Sequence, residues 1–180
     1  MKNRYRLKLL KQHAQPDWDE THGCCTIAKL AKLFHVKHMA EIGVAYGHTA
    51  TEVLNATRIA RYHMIDTWPN EEIYKTITDN FSADPTITIT RKDSIEAAKG
   101  FENESLDMIY LDTYHTYQQT IRETHAWIPK LKHGGVFAGD GYGYKLEGKD
   151  QVKQAVHEIF RKQQININLG KDYIYWIIRP

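Results

Sequence analysis

Apolar residues along this chain repeat at two spacings, and the switching between them predicts the fold. Between Cys24 and His35, Ile27, Leu30, Ala31 and Phe34 fall at i, i+3, i+4 and i+7, the stripe of a helix packed on a core. After it come short apolar runs that read as strands: His38 to Ile42, Arg61 to Ile65, Thr86 to Thr90, Leu106 to Leu111, Gly135 to Gly139, Ile165 to Leu169 and Tyr173 to Arg179. Helical patterns alternate with them over Thr49 to Asn55, Glu71 to Phe81, Ser94 to Lys99, Thr116 to Leu131 and Lys149 to Gln163. Asp93 reads as an N-cap and Gly134 as a helix stop. Strand alternating with helix implies right-handed βαβ units and a parallel sheet. The last two strands are joined only by Gly170-Lys-Asp172, which calls for an antiparallel hairpin at the end of the chain.

The first residues are less decisive. Met1 to Lys11 alternates Lys or Arg with Tyr5, Leu7 and Leu9, read here as a short basic helix, and Gln15 to Glu20 reads as a linker. The expected organisation is a helical flank over 1–36 and one α/β domain over 37–180, with any substrate pocket built from loops.

Composition narrows the function classes. A formal charge of +2, with basic residues spread outside the N-terminal tract, does not favour nucleic acid. Cys24 and Cys25 are adjacent, which suits neither an ordinary structural disulfide nor a C-x-x-C motif, so a reducing cytoplasm is the expected home. No apolar run approaches the roughly 20 residues of a membrane span, and the N-terminus lacks a signal-peptide core, so a membrane partner is not expected.

Chemistry concentrates where the predicted strands end. Ligands of open α/β sheets bind outside the carboxyl ends of the strands. Glu41, Asp66, Asp93, Asp112 and Asp140 all fall at or just after such ends. Asp66 stands where a carboxylate can accept from both hydroxyls of a ribose, with capping of the next helix as the alternative. His115, three residues beyond Asp112, is a candidate general base, because an imidazole pKa near 6.5 suits proton removal at neutral pH.

The first predicted strand runs into Glu41-Ile-Gly-Val-Ala-Tyr-Gly-His-Thr49, a glycine loop opening into a helix. Gly43 and Gly47 permit close backbone approach, and the helix start offers unpaired N–H groups. With G-x-x-x-G in place of G-x-G-x-x-G, the loop argues against a pyrophosphate binder. It resembles motif I of class I S-adenosylmethionine (SAM) methyltransferases, in the form found in small metal-dependent O-methyltransferases. That resemblance implies a Rossmann-like, doubly wound, seven-stranded and mostly parallel sheet with an antiparallel final strand and helices on both faces. It covers about Lys37 to the C-terminus. It implies SAM contacts from Glu41, Gly43, Ala45, Gly47, Asp66, Asp93, Ser94 and Asp112.

A second stretch is more specific. Leu106-Asp-Met-Ile-Tyr-Leu-Asp-Thr-Tyr-His-Thr-Tyr117 and Trp127-Ile-Pro-Lys-Leu-Lys-His-Gly-Gly-Val-Phe-Ala-Gly-Asp-Gly-Tyr142 resemble a methyltransferase family that includes macrolide-sugar O-methyltransferases. The match rests on Asp112, His115, Tyr117, Leu131, Gly134, Gly135, Gly139, Asp140 and Tyr142. It implies catalytic roles for Asp112 and His115 and a divalent ion such as Mg²⁺ on Asp112 and Asp140. Where the family carries a second metal ligand after Asp140, this chain has Gly141, so a weak metal site is expected.

The resulting expectation is a SAM-dependent methyltransferase acting on a hydroxyl of a small molecule, sugar-like or natural-product-like. Two alternatives stand beside it: a SAM-binding module without catalysis, motivated by Gly141, and a metal-dependent hydrolase, which leaves the glycine loop unexplained. A homodimer is left open.

Overall fold

The computed structural model describes residues 23–180, so the predicted basic helix and linker lie outside the described residues. Among the described residues, six α-helices surround one seven-stranded sheet: α1 (Gly23–Leu33), α2 (His48–Ala56), α3 (Glu71–Phe81), α4 (Ser94–Ala98), α5 (Tyr117–Trp127) and α6 (Gln151–Phe160). The strands are β1 (His38–Ile42), β2 (Arg61–Asp66), β3 (Ile87–Arg91), β4 (Leu106–Leu111), β5 (Leu131–Gly139), β6 (Asn168–Leu169) and β7 (Tyr175–Ile178). Their order is β3-β2-β1-β4-β5-β7-β6. The first five run parallel, and β7 inserts antiparallel between β5 and β6.

Period-two alternation divides the core between the two faces of the sheet. Met39, Tyr62, Met64, Met108, Tyr110, Val136 and Ala138 pack against α1, α2 and α3. Ala40, Ile42, Ile65, Ile109, Leu111, Phe137 and Ile177 join α5 and α6 on the other side. Among the described residues no helix is long and apolar enough to cross a membrane.

Several expected boundaries shift, each for a local reason. The helix expected to run to Leu131 stops at Trp127 and continues as a single 3₁₀ turn, Ile128–Lys130, where Pro129 lacks the N–H a longer helix would need. Gly134 is therefore not the stop; it lies inside β5 at φ 75°. There the pairing with β4 jumps from Leu106–Leu131 to Met108–Val136, a bulge that a left-handed residue can absorb. The strand expected over Ile165 to Leu169 shrinks to two residues, because Ile165 and Ile167 pack onto the α5–α6 core. The turn into β7 is longer than expected, with Asp172 and Tyr173 both at positive φ. By contrast β1, β4 and α3 fall on their predicted bounds.

Candidate active site

The loops after β1, β2, β3 and β4 enclose a cavity of about 240 Å³ at the carboxyl ends of the strands. Of the residues expected to hold a cofactor, Gly43, Ala45, Asp66, Asp93, Ser94 and Asp112 line it. Gly43 sits at φ 86°, where an added Cβ would stand 1.8 Å from the Asp112 carbonyl oxygen. Only glycine lets the β1 loop and the β4 loop pass this closely.

Asp66 neither caps a helix nor stands free. One oxygen accepts the N–H groups of Val44 and Ala45, both at 2.9 Å, and the other accepts Trp68 N–H at 2.8 Å. Trp68 returns the link by donating Nε1–H to the Ala45 carbonyl at 3.0 Å. Helix α3 is capped instead by Asn70, which accepts from Glu72 and Ile73 N–H. Arg91 ties the outer side of the β2 loop by donating to the Thr67 and Trp68 carbonyls while pairing with Glu71. Ala45 and Trp68 both have positive φ, so this clasp holds backbone conformations that the loops would rarely adopt unaided. Asp93 caps α4, accepting from Ile95 and Glu96 N–H, while remaining on the cavity wall.

Two of the residues expected to contact the cofactor lie outside the cavity lining. Glu41 is buried and outside the cavity lining, because strand alternation puts it on the α1–α3 side, where it accepts the Tyr62 O–H at 2.7 Å. Burial pushes its pKa up to about 8, the Tyr62 hydrogen bond opposes this, and the Asp112 and Asp66 charges add to the rise. Gly47 also stays off the cavity wall: an added Cβ there would meet the Phe81 ring at 2.9 Å and Ile77 at 3.0 Å. Its φ of 76° and its packing on α3 give it a structural task in the turn.

At the far wall, β4 and β5 lie side by side, and their ends bring Asp112, His115 and Asp140 together. One ligand atom from each lies within 4.8 Å of the others. His115 Nε2 is 3.2 Å from Asp140 Oδ2 and 3.5 Å from Asp112 Oδ1, yet it is buried and aligned for a hydrogen bond with neither. Tyr110 donates to Asp112 Oδ2 at 3.1 Å. Burial first, and then the Asp112 charge, push Asp140 up to about 7. Asp112 beside the imidazole raises the His115 pKa, burial opposes it, and Asp140 adds to the rise.

The carboxylates of Asp112 and Asp140, brought together beside the imidazole, are hard oxygen donors that fit a small divalent cation, which leaves His115 Nε2 free to take a proton. The absence of a side chain at 141 has a steric explanation. Gly141 sits at φ 83°, and an added Cβ would meet the His115 ring at 2.9 Å, so the imidazole takes the space a side chain would need.

Sequence reading missed Thr113, Tyr114, Gln119 and Glu123 on the cavity wall. Glu123 is buried, accepts from Thr113 Oγ1 at 2.5 Å and Gln119 Nε2 at 2.9 Å, and has its pKa raised chiefly by burial. A signal was present: Thr120, Glu123, Thr124 and Trp127 form the buried i, i+3, i+4, i+7 stripe of α5, and an acid within such a stripe calls for a polar task.

Comparison with known proteins places this architecture. The structure of the O-methyltransferase from Bacillus cereus in complex with S-adenosylhomocysteine superposes with a TM-score of 0.69 at 14% identity, covering 95% of this chain and 84% of that one. TomG from Streptomyces achromogenes, an O-methyltransferase of tomaymycin synthesis solved with SAM, gives 0.66 at 11% identity over 86% of this chain and 78% of its own. A Staphylococcus aureus protein provisionally designated a caffeoyl-CoA O-methyltransferase gives 0.71 at 19% identity, over 87% and 82%. At these identities the likeness is one of fold. A search of curated protein sequences gave no match. The family assignment rests on sequence: residues 40–142, more than half of the chain, match the family model described as a methyltransferase domain, and the chain belongs to that methyltransferase family.

Proposed function

We propose that this protein methylates a hydroxyl oxygen of a small molecule, with SAM held in the cavity beside the glycine loop and a divalent cation assisting at Asp112 and Asp140. One observation carries the reading: Asp112 belongs both to the cavity wall and to the Asp112–His115–Asp140 cluster, so a ligand in the cavity borders the cluster directly. Bound there, SAM supplies a methyl group already activated on a sulfonium sulfur.

The chain's own residues then have three tasks. The Asp66–Trp68 clasp fixes the glycine loop before the ligand arrives, so little ordering cost remains at binding. The carboxylates of Asp112 and Asp140 orient the acceptor hydroxyl, and His115 Nε2 takes its proton. With both acids bare, His115 holds its proton more tightly than an ordinary histidine and is a poor acceptor. A divalent cation held by Asp112 and Asp140 would supply positive charge that relieves this and would make a neighbouring hydroxyl easier to deprotonate. Exposed Tyr144, edge-on to the His115 ring at a centroid distance of 5.9 Å, offers a flat surface beside the cluster that suits a ring-bearing acceptor.

The test is transfer of labelled methyl from SAM to a panel of hydroxylated ring compounds, with Mg²⁺ or Mn²⁺ and again after chelation. Transfer that is lost in chelator and restored by the ion is expected. Full transfer in chelator removes the cation from the mechanism, and SAM binding without transfer to any hydroxyl leaves a binding module instead.

A further inference from the structure

On the wall of the cofactor cavity, three side chains hydrogen-bond one another and leave a defined pair of groups for a ligand. Thr113, Gln119 and Glu123 stand there together, with Ser94 beside them. Strand β4 ends two residues before Thr113, and α5 carries Gln119 and Glu123 at i and i+4, on one face of the helix. Glu123 is 1% exposed and accepts on both oxygens, from Thr113 Oγ1–H at 2.5 Å and from Gln119 Nε2–H at 2.9 Å. Burial raises its pKa, and the Thr113, Gln119 and Ser94 groups oppose that rise. Ser94 Oγ in turn accepts Trp127 Nε1–H at 3.0 Å, which ties the start of α4 to the same wall.

This bonding pattern decides what the wall can offer. An ionised carboxylate only accepts, so the Gln119 amide must turn its nitrogen toward Glu123. One amide N–H is used there, and the other N–H and the carbonyl oxygen remain for a ligand. Thr113 has given its one hydroxyl hydrogen to Glu123 and keeps only lone pairs. Other acids of the lining have different tasks, since Asp66 holds the glycine loop and Asp93 caps α4. The half-buried Gln119 is therefore an amide whose sense is fixed from behind and whose donor and acceptor border the cavity.

We propose that Gln119 reads the edge of the cofactor's adenine, its oxygen accepting the 6-amino group and its remaining N–H donating to ring nitrogen N1, while Glu123 is the positioning residue that holds the amide in that sense. A glutamine carboxamide and an amine beside a ring nitrogen match in this two-bond way. The α-ammonium of the methionine half offers donors only and would leave the amide N–H unanswered. An oxopurine reverses both partners, setting a carbonyl against the Gln119 oxygen and N–H against N–H. Ile42 and Ile65, in the same lining, supply apolar surface for the flat base. The inference rests on the reading that SAM occupies this cavity.

The experiment is calorimetric titration of the full-length protein with S-adenosylhomocysteine and with its deaminated form, S-inosylhomocysteine. The native protein should bind the deaminated form about tenfold or more weakly, the scale set by polar groups left unpaired at a binding site. Gln119→Leu, at a half-buried helix position, should bring the two affinities together. Glu123→Gln, whose amide can donate as well as accept, should let the Gln119 amide turn over and narrow the gap. A merely structural role would lower both affinities alike and leave their ratio unchanged. That outcome in Gln119→Leu overturns the proposal, even where Glu123→Gln fails to fold. Equal affinity of the native protein for the two compounds overturns it while leaving the cavity's assignment to the cofactor standing, and failure to bind either compound overturns both.

Discussion

At the end of β2, both oxygens of a carboxylate are answered; at the ends of β4 and β5, two carboxylates and an imidazole meet with little to answer them. Asp66 accepts three backbone N–H groups and fixes two loops. Asp112, Asp140 and His115 crowd within 4.8 Å, with one buried nitrogen unsatisfied and the Asp140 pKa pushed up to about 7. Both regions border a single cavity, joined where Gly43 passes the Asp112 carbonyl. The contrast separates two kinds of site construction. A completed network holds the shape into which a ligand fits, whereas an incomplete one stores electrostatic cost that a ligand or ion can relieve.

The largest expected effect comes from the acid beneath both regions. Glu41 has its folded pKa raised from 4.5 to about 8, so its contribution to stability is fully present below pH 4.5 and is lost as pH rises toward 8. At about 1.4 kcal/mol per pKa unit, this amounts to a few kcal/mol across that window. Thermal unfolding of the native protein in chelator should therefore show falling stability from pH 5 to 8, and Glu41→Gln should flatten much of that slope. An unchanged slope would mean that Glu41 ionises as freely as it does in the unfolded chain.

Smaller effects of opposite sign distinguish the two regions directly. Asp66→Ala leaves three N–H groups without their acceptor and should cost about 1–3 kcal/mol, with a loss of cofactor affinity measured by calorimetry. Asp140→Asn removes a buried charge that His115 and the Gly141 N–H only partly offset, and should stabilise the ion-free protein by about 1 kcal/mol at neutral pH. If both variants destabilise alike, the cluster is as well satisfied as the clasp, and the contrast fails.

What could be read from the sequence follows from which contacts are local. Alternation and turn residues placed β1, β4 and α3 on their bounds, because burial on both faces of a strand leaves a continuous apolar run. The rule that ligands gather at carboxyl ends brought Asp66, Asp93, Asp112 and Asp140 to the correct end of the sheet. It could not say which way each side chain turns. Glu41 ends its strand as Asp66 does, yet faces the opposite side and bonds Tyr62. Gly47 looks like a cofactor glycine in the motif, but its missing side chain makes room for Phe81, which lies 34 residues away in the chain.

The most direct measurement is a crystal structure of the protein with S-adenosylhomocysteine and Mn²⁺. The expected result places the sulfur at the Asp112 end of the cavity, facing His115 and Asp140, with the adenine toward Ser94 and Glu123 and the ion on the two carboxylates. A sulfur directed toward Lys92 and Asp93, away from the cluster, would contradict the assignment of Asp112, His115 and Asp140 to the reacting end.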